Sequence, residues 1–278
     1  MILITTPNGK VGSEIVRQLQ AQGTPVRVGA HTVEKARAAF PDTEVVHFDF
    51  NDEASVHAAL QGVDRLYLAS PGPMPAAPVK RVVDLAKEAG VQHVVRLSAL
   101  GAEQGDNPLR DVERHLEASG LQWTFLRPNW FMQNYSTDMA GGIREQGQLL
   151  EPAGDAATGF VDARDIAAVG VAALTTDGHA GQAYGITGPA ALTRTEVAAA
   201  ISAATGREVQ YQPISEEQYQ QVMGRAGAPD AYVGLMTNLY QMVRAGYTAT
   251  VTDDVQRVTG RAPISFEQFA RDHADTWR

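Results

Sequence analysis

The twelve residues MILITTPNGKVG, at positions 1–12, decide the fold of this chain. The apolar and β-branched run at positions 2–5 predicts a buried strand, and Pro, Asn and Gly at positions 7–9 predict the turn that ends it. The next segment, SEIVRQLQAQG, predicts a helix. A strand, a glycine turn and a helix in this order place backbone N–H groups and the positive end of a helix against a dinucleotide pyrophosphate.

The turn departs from the usual dinucleotide fingerprint, which has three glycines where this loop has two, Gly9 and Gly12. Thr6 stands where the first glycine is expected. We predict that the loop contacts a pyrophosphate, and the alternative is a β–α turn that binds no ligand. The predicted contacts are Thr5, Thr6, Asn8, Gly9, Lys10, Val11 and Gly12.

Strand-like and helix-like runs alternate through the first 128 residues. The predicted strands cover residues 2–5, 26–30, 44–48, 65–69, 94–97 and 123–126. The predicted helices between them cover residues 11–22, 33–40, 53–61, 77–89 and 110–119. The strands are apolar along most of their length, as in a parallel sheet covered by helices on both faces. The predicted fold class is therefore α/β, a Rossmann-like doubly wound parallel sheet.

The pattern changes after Pro128, where helical segments dominate and strands become short. Capping boxes of the Ser/Thr-x-x-Glu/Gln type begin helices at Thr193, Ser215 and Ser265. We predict an NAD(P)-binding domain over residues 1–128 and a smaller, mainly helical substrate-binding lobe over residues 129–278. Some segments of the lobe are expected to return to the first domain.

The composition excludes several kinds of protein. The chain has 278 residues, a formal net charge of -9 and no cysteine, which excludes disulfides, thiolate metal sites and a cysteine nucleophile. The histidines show no metal-ligand spacing, so no metal is predicted. The negative net charge argues against nucleic acid as a partner. A membrane-spanning helix needs about 20 apolar residues, and no apolar run approaches that length. We expect a cytoplasmic protein that acts on a small molecule, with its oligomeric state left open.

The end of the second strand bears on the choice between the two nicotinamide dinucleotides. An NAD site usually has an acidic residue there for the ribose hydroxyls, whereas an NADP site has a cation for the 2′-phosphate. The segment VRVGAHTVEK has no acidic residue before Glu34, and it offers His31 and then Lys35. This pattern favours NADPH over NADH. The alternative is that His31 and Lys35 are solvated surface residues.

Polar and small residues also end the next three strands. Asp49 can accept a hydrogen bond from an adenine amine and Phe50 can flank the ring, although Asp49 can equally cap the following turn. Small residues let a ribose approach the backbone after the fourth strand, and Ser98 ends the fifth strand near the expected nicotinamide. The small residues are Ala69, Ser70 and Pro71.

Five segments together resemble a known family. ITTPNGKVG, FDFND, VVRLSALGA, SGLQWTFLRPNWFMQNY and FVDARDIAAV, in this order and spacing, resemble the NmrA-like branch of atypical short-chain dehydrogenases. The similarity is greatest to reductases of the ergot alkaloid biosynthesis type, and quinone and triphenylmethane reductases of the same branch are also similar. The resemblance spans nearly the whole chain.

The resemblance implies a Rossmann-like domain that binds NAD(P)H. His31 matches the position of the arginine that usually binds the phosphate, and Asp49 and Phe50 match the adenine-side pair. The stretch from Pro128 to Tyr135 matches the region that borders nicotinamide and substrate. From it we expect Pro128 to contact the cofactor and Trp130, Phe131, Asn134 and Tyr135 to contact the substrate. Core packing is the alternative for Phe131.

The Tyr-x-x-x-Lys pair of classical members is absent, so no catalytic residue is assigned. Arg110, Arg114 and His115 are conceivable proton donors, but a solvated helix face also explains them. The cofactor loop and the family resemblance together predict an NAD(P)H-dependent reductase. It is expected to transfer hydride to a small conjugated or aromatic acceptor, such as a quinone, dye or imine. The alternative is a non-catalytic NAD(P) sensor that acts through a protein partner.

Overall fold

Two structural units make up the computed structural model, which describes residues 1–72 and 74–278. The first unit contains Met1–Pro128, Ala163–Ile186 and Asp254–Gly260. The second unit contains Asn129–Asp162, Thr187–Asp253 and Arg261–Arg278. The chain thus leaves and re-enters the first unit twice after Pro128.

A seven-stranded sheet forms the centre of the first unit. Its strands are β1 (Ile2–Thr5), β2 (Val26–Ala30), β3 (Glu44–His47), β4 (Arg65–Leu68), β5 (His93–Leu97), β6 (Gln122–Pro128) and β8 (Gln182–Ile186). Their order across the sheet is β3-β2-β1-β4-β5-β6-β8, and every neighbouring pair is parallel. The strand order reverses between β1 and β4, so the ligand crevice of such a sheet is expected at their carboxyl ends.

Seven helices accompany these strands among the described residues. They are α1 (Lys10–Ala21), α2 (Val33–Ala39), α3 (Glu53–Ala59), α4 (Ala76–Glu88), α5 (Pro108–Ala118), α8 (Ala163–Thr175) and α12 (Asp254–Thr259). Their apolar faces bury Ile15, Val83 and Leu116, for example, completely or almost completely. Burial of such faces on both sides explains why β1 and β4 are apolar rather than alternating. The predicted α/β, doubly wound class is confirmed.

The second unit is mainly helical. Its elements are α6 (Gln133–Ser136), α7 (Ala140–Gln146), β7 (Gln148–Glu151), α9 (Arg194–Thr205), β9 (Gln210–Pro213), α10 (Glu216–Arg225), α11 (Asp230–Arg244), α13 (Phe266–Asp272) and a 3₁₀ turn (Ala274–Thr276). β7 and β9 form a two-stranded parallel sheet. Trp277 is 1% exposed and its indole N–H donates to the Tyr135 carbonyl at 2.8 Å, which ties the end of the chain into this core.

The predicted helix starts of the second unit are found at their caps. Both reciprocal bonds of a capping box are present at Thr193 and at Ser215, and the Ser265 hydroxyl accepts from the Gln268 N–H. The β7 strand was not predicted, because a run of four residues gives too short a pattern to separate a strand from a loop. Across the described part of the chain, no helix has the length and apolar character that a membrane crossing requires.

One buried histidine makes stability depend on pH. His93 begins β5, is 4% exposed, and its Nε2 lies 2.9 Å from the Thr124 hydroxyl. Burial, with Arg65 and His179 nearby, lowers the pKa of His93 to about 4. The unfolded chain, with an ordinary histidine pKa near 6.5, therefore takes up this proton at a higher pH than the folded protein.

We expect His93 to reduce the free energy of unfolding by about 3 kcal/mol as the pH falls from 6.5 to 4. Urea unfolding of the wild type and of His93→Gln at several pH values measures this, and the exposed His57→Gln is the control. The destabilisation caused by His93→Gln should shrink toward acidic pH. Parallel pH profiles for the wild type and this variant would contradict the assignment.

Candidate functional site

The loop after β1 turns through an unusual backbone conformation at Thr6. Its φ is +49°, and it is the one non-glycine residue with positive φ among the residues described. The Thr6 carbonyl accepts from the Gly9 N–H at 3.0 Å and so closes the turn. A β-branched residue is strained in this left-handed region. This explains why the fingerprint normally has glycine here, and the bond from the Gly9 N–H closes the turn without one.

Gly12 lies directly against the same carbonyl group. A Cβ atom added at Gly12 would lie 2.3 Å from the Thr6 oxygen and 3.1 Å from the Thr6 carbonyl carbon. Backbone atoms cannot move aside as a flexible side chain can, so this position requires glycine. At Gly9 the same Cβ would lie 3.2 Å from the Thr6 oxygen, which is tight but less severe. The two glycines therefore bring the start of α1 against the end of β1.

The amino end of α1 has the chemistry of an anion site. Gly9 is its N-cap residue, no side chain caps the helix, and its first turn has no acidic residue. In contrast, α5 and α9 are capped by the side chains of Asn107 and Thr193. Peptide N–H groups and the positive helix end would thus meet an anion without competition from a carboxylate of the first turn. The arrangement fits the pyrophosphate of a dinucleotide.

Thr5 joins the two strands that border the expected crevice. It is fully buried, and its hydroxyl donates to the Ala69 carbonyl at 2.8 Å and accepts from the Ala69 N–H at 2.9 Å. These bonds hold the carboxyl ends of β1 and β4 together. Because the Thr5 hydroxyl is already hydrogen-bonded within the sheet, only the backbone of Thr5 is available for the predicted contact with the cofactor.

The residues expected near the 2′-phosphate lie at the surface. The His31 side chain is 76% exposed and its Nε2 lies 3.8 Å from the Asp49 Oδ2. Lys35 is also exposed. The negative charge of Asp49 disfavours binding of a phosphate beside His31. The sequence spacing did not predict that these two residues are neighbours. Asp49 also accepts from the Asn51 N–H at 2.9 Å, so it caps the following turn as the alternative reading expected.

Phe50 belongs to the apolar core of the first unit. It is 8% exposed, and its ring centroid lies 5.1 Å from that of Phe48 in an edge-on arrangement. This burial favours a packing role for Phe50 over the expected contact with adenine.

A buried arginine supports the loop after β4. Arg96 lies in β5, is 3% exposed, and donates to the Leu68 carbonyl at 3.0 Å and to the Ser70 hydroxyl at 3.4 Å. Burial lowers the pKa of Arg96 to about 10, so the guanidinium stays charged at neutral pH. The sequence analysis did not single out Arg96, although a lone cation inside the apolar run VVRLS was the signal for it. Arg96 thereby holds the Leu68 carbonyl and the Ser70 side chain at the carboxyl end of β4.

Helix α5 presents a buried carboxylate. Glu113 of α5 is fully buried, and Arg127 donates to both of its oxygens, at 3.0 and 2.7 Å. Arg110 adds a third bond at 3.2 Å. Burial alone would raise the pKa of Glu113, but the bonds from Arg127 outweigh it and lower that pKa. Glu113 is therefore ionised and cannot donate a proton.

Ser98 lies beside this ion cluster. It is 8% exposed, and its N–H donates to the Leu126 carbonyl at 2.7 Å. The nearby hydroxyl contributes to the low pKa of Glu113, but makes no hydrogen bond of good geometry with any residue that the structure describes. Its expected contact with the cofactor stays a prediction.

The other conceivable proton donors of α5 are held in ion pairs. Arg110 also pairs with Glu117 at 2.8 Å, and Arg114 pairs with Asp106 at 2.6 Å. The His115 Nε2 lies 2.7 Å from an oxygen of Asp84. These contacts favour the surface-helix interpretation.

The four residues expected near the substrate differ in burial. Tyr135 is 1% exposed, packs edge-on against the rings of Phe160 and Phe266, and donates to Glu151 at 3.4 Å. This favours a packing role for Tyr135 over contact with a substrate. The other three expected residues are half-buried. They are Trp130, Phe131 and Asn134.

Metal binding finds no support in the described residues. Within residues 1–72 and 74–278, no group of three His, Cys, Asp or Glu side chains comes together as a possible metal site.

The parallel sheet, the glycine turn and the uncapped α1 define a dinucleotide-binding protein of the Rossmann type. The NAD(P)H-binding family model matches residues 7–177. The chain belongs to this NAD(P)H-binding family.

Relatives and solved structures agree with this assignment. An NAD(P)H azoreductase of Xenophilus azovorans is 39% identical, over 99% of this chain and 98% of that protein. An agroclavine dehydrogenase of Claviceps fusiformis is 30% identical over the same shares. The NADPH complex of an Escherichia coli NADPH-dependent quinone oxidoreductase superposes with a TM-score of 0.87 at 27% identity, over 98% of this chain and 99% of that one. The predicted resemblance is confirmed.

We expect Gly12→Ala to weaken NADPH binding by about tenfold or more, equivalent to about 1.4 kcal/mol, because its Cβ meets the Thr6 carbonyl. Titration of tryptophan fluorescence with NADPH measures the affinity. The control is Gly141→Ala in α7, where an added Cβ meets nothing within 4 Å. That control should bind NADPH normally and gain about 0.5–1 kcal/mol of stability. Equal affinities for both variants would contradict the role of Gly12.

Proposed function

We propose that the protein is an NAD(P)H-dependent oxidoreductase that reduces a small conjugated or aromatic acceptor, such as a quinone, an azo dye or an imine. The observation that carries this proposal is the close approach of Gly12 to Thr6 beneath the uncapped end of α1. The names of the relatives support the acceptor class, since they include an azoreductase and a quinone oxidoreductase.

In this proposal, different residues of the first unit bind different parts of the cofactor. The turn from Thr6 to Gly12 holds the pyrophosphate, and His31 and Lys35 face the 2′-phosphate of NADPH. Asp49 contacts the adenine amine. Small or polar residues at the ends of β4, β5 and β6 border the ribose and nicotinamide. They are Ala69, Ser70, Pro71, Ser98 and Pro128.

The reaction needs little acid–base chemistry from the chain. The bound dinucleotide supplies the hydride. Quinones, azo compounds and imines accept hydride directly on a conjugated atom and can take their proton from water. Because Glu113 is held ionised by Arg127 and Arg110, α5 provides no proton donor at this carboxylate. The chain contributes mainly by holding donor and acceptor in register, which alone lowers the barrier substantially.

The test is NADPH oxidation by the purified protein with a panel that contains a benzoquinone, an azo dye and a cyclic imine. We expect turnover with at least one of them and a dependence on acceptor concentration. Tight NADPH binding without turnover across the panel would contradict the proposal and favour a non-catalytic sensor.

We expect His31→Ala to weaken NADPH binding about fivefold, the scale of one exposed ion pair, and to leave NADH binding unchanged. His31→Arg should strengthen NADPH binding, because arginine is always charged and binds phosphate through two N–H groups. Affinities for both dinucleotides are measured by fluorescence titration, with the exposed His57→Ala as the control. An equal loss for NADPH and NADH in His31→Ala would exclude a 2′-phosphate contact.

A further inference from the structure

A fully buried ion pair lies in the second unit. Arg194 and Glu151 are both 0% exposed, and the Arg194 Nε donates to the Glu151 Oε2 at 2.6 Å. The Arg194 Nη1 donates to the Thr158 hydroxyl at 2.6 Å and to the Ala156 carbonyl at 3.3 Å. These bonds fix the position of the guanidinium plane.

Stability alone does not explain this pair. Charges removed from water lose hydration, and a buried ion pair is often no more stabilising than apolar side chains of similar volume. Three buried polar atoms here, Glu151 Oε1, Arg194 Nη2 and the Tyr240 hydroxyl, have no hydrogen-bond partner among the residues that the structure describes. Each such atom adds a desolvation cost. A cluster this costly calls for a role besides folding.

The cluster supports the Trp130 ring. The Arg194 guanidinium carbon lies 5.7 Å from the Trp130 ring centroid, and the Tyr240 ring lies 5.0 Å from it at 47°. A guanidinium and an aromatic ring therefore both contact the indole, and both contacts are directional. Trp130 is half-buried, so this residue is not fully enclosed by the cluster.

The backbone of Trp130 is held as firmly as its ring. Its N–H donates to the Asn129 Oδ1 at 2.9 Å, and its carbonyl accepts from the Val161 N–H at 2.8 Å. The Asn129 amide donates in turn to the Thr248 carbonyl at 2.8 Å. With main chain and ring both held, the indole has a defined orientation.

We propose that Arg194, held by Glu151, is a positioning residue that orients the Trp130 indole as a stacking surface for a flat acceptor of two or more conjugated rings. This inference rests on the proposed function and narrows its acceptor class. A single-ring acceptor gains little from stacking outside its reacting ring, whereas an extended one gains affinity from each ring that stacks. The acceptor preference of the protein therefore depends on this buried pair.

The test compares a two-ring azo dye with 1,4-benzoquinone in the double variant Glu151→Leu/Arg194→Met. This variant removes both buried charges and keeps apolar volume, so we expect its melting temperature to be maintained or raised. The KM for the dye should rise about fivefold, the scale of one lost cation–π contact, while kcat and the KM for benzoquinone stay unchanged. Trp130→Ala should raise the KM for the dye at least as much.

Two further variants keep the test decisive. Arg194→Lys retains the charge for Glu151 but loses the planar guanidinium, so it should raise the KM for the dye even if the double variant does not fold. Arg257→Met removes another guanidinium beside a ring, at 5.4 Å from Tyr184, and should leave both KM values unchanged. Equal KM changes for dye and benzoquinone, or no change for the dye, would overturn the inference.

Dye binding without turnover separates this inference from the proposed function. Quenching of tryptophan fluorescence by the dye, compared with Trp130→Phe, gives an affinity that does not depend on reduction. If the wild type reduces no acceptor yet the dye binds more weakly to Arg194→Lys, the proposed function fails and the stacking surface stands. If the wild type reduces the dye and Arg194→Lys binds it equally well, the inference fails and the proposed function stands.

Discussion

The close approach of Gly12 to the Thr6 carbonyl is the contact on which the rest of the cofactor site depends. It brings the start of α1 to the end of β1, where the strand order of the sheet reverses. A single methyl group at Gly12 would fill this space, so the constraint is steric rather than electrostatic. Thr6 bears the accompanying strain with a φ of +49°, and the bond from the Gly9 N–H to its carbonyl holds it there.

Buried polar side chains make the carboxyl edge of this sheet rigid. Thr5 joins β1 to β4, Arg96 joins β5 to the end of β4, and Arg127 joins β6 to Glu113 of α5. Thr5 and Arg96 replace water that backbone groups at the strand ends would otherwise need, whereas Arg127 satisfies a buried carboxylate. The same bonds that hold the edge also commit Glu113 to the ionised state. Glu113 thus serves structure rather than proton transfer.

In the second unit, a buried ion pair rather than side chains at strand ends makes the structure rigid. Its core combines aliphatic side chains with several aromatic rings, yet it retains the Arg194–Glu151 pair at full burial. Aromatic rings alone can slide over one another at little cost, whereas a guanidinium held by three hydrogen-bond acceptors has one position. The Arg194 guanidinium therefore sets the orientation of Trp130, and the apolar pattern of the sequence does not predict this contact.

The sequence by itself determined the alternation of strands and helices, the parallel sheet and the glycine turn, because periodicity and turn chemistry are local properties. It also located His31 and Asp49 just after strand ends, and Gly9 and Gly12 in the turn where α1 begins. Only the tertiary structure decided that Phe50 and Tyr135 are buried, that Asp49 lies beside His31, and that Arg194 meets Glu151 across 43 positions of the chain. Burial and ion pairing depend on which distant segments meet, and no local pattern contains that information.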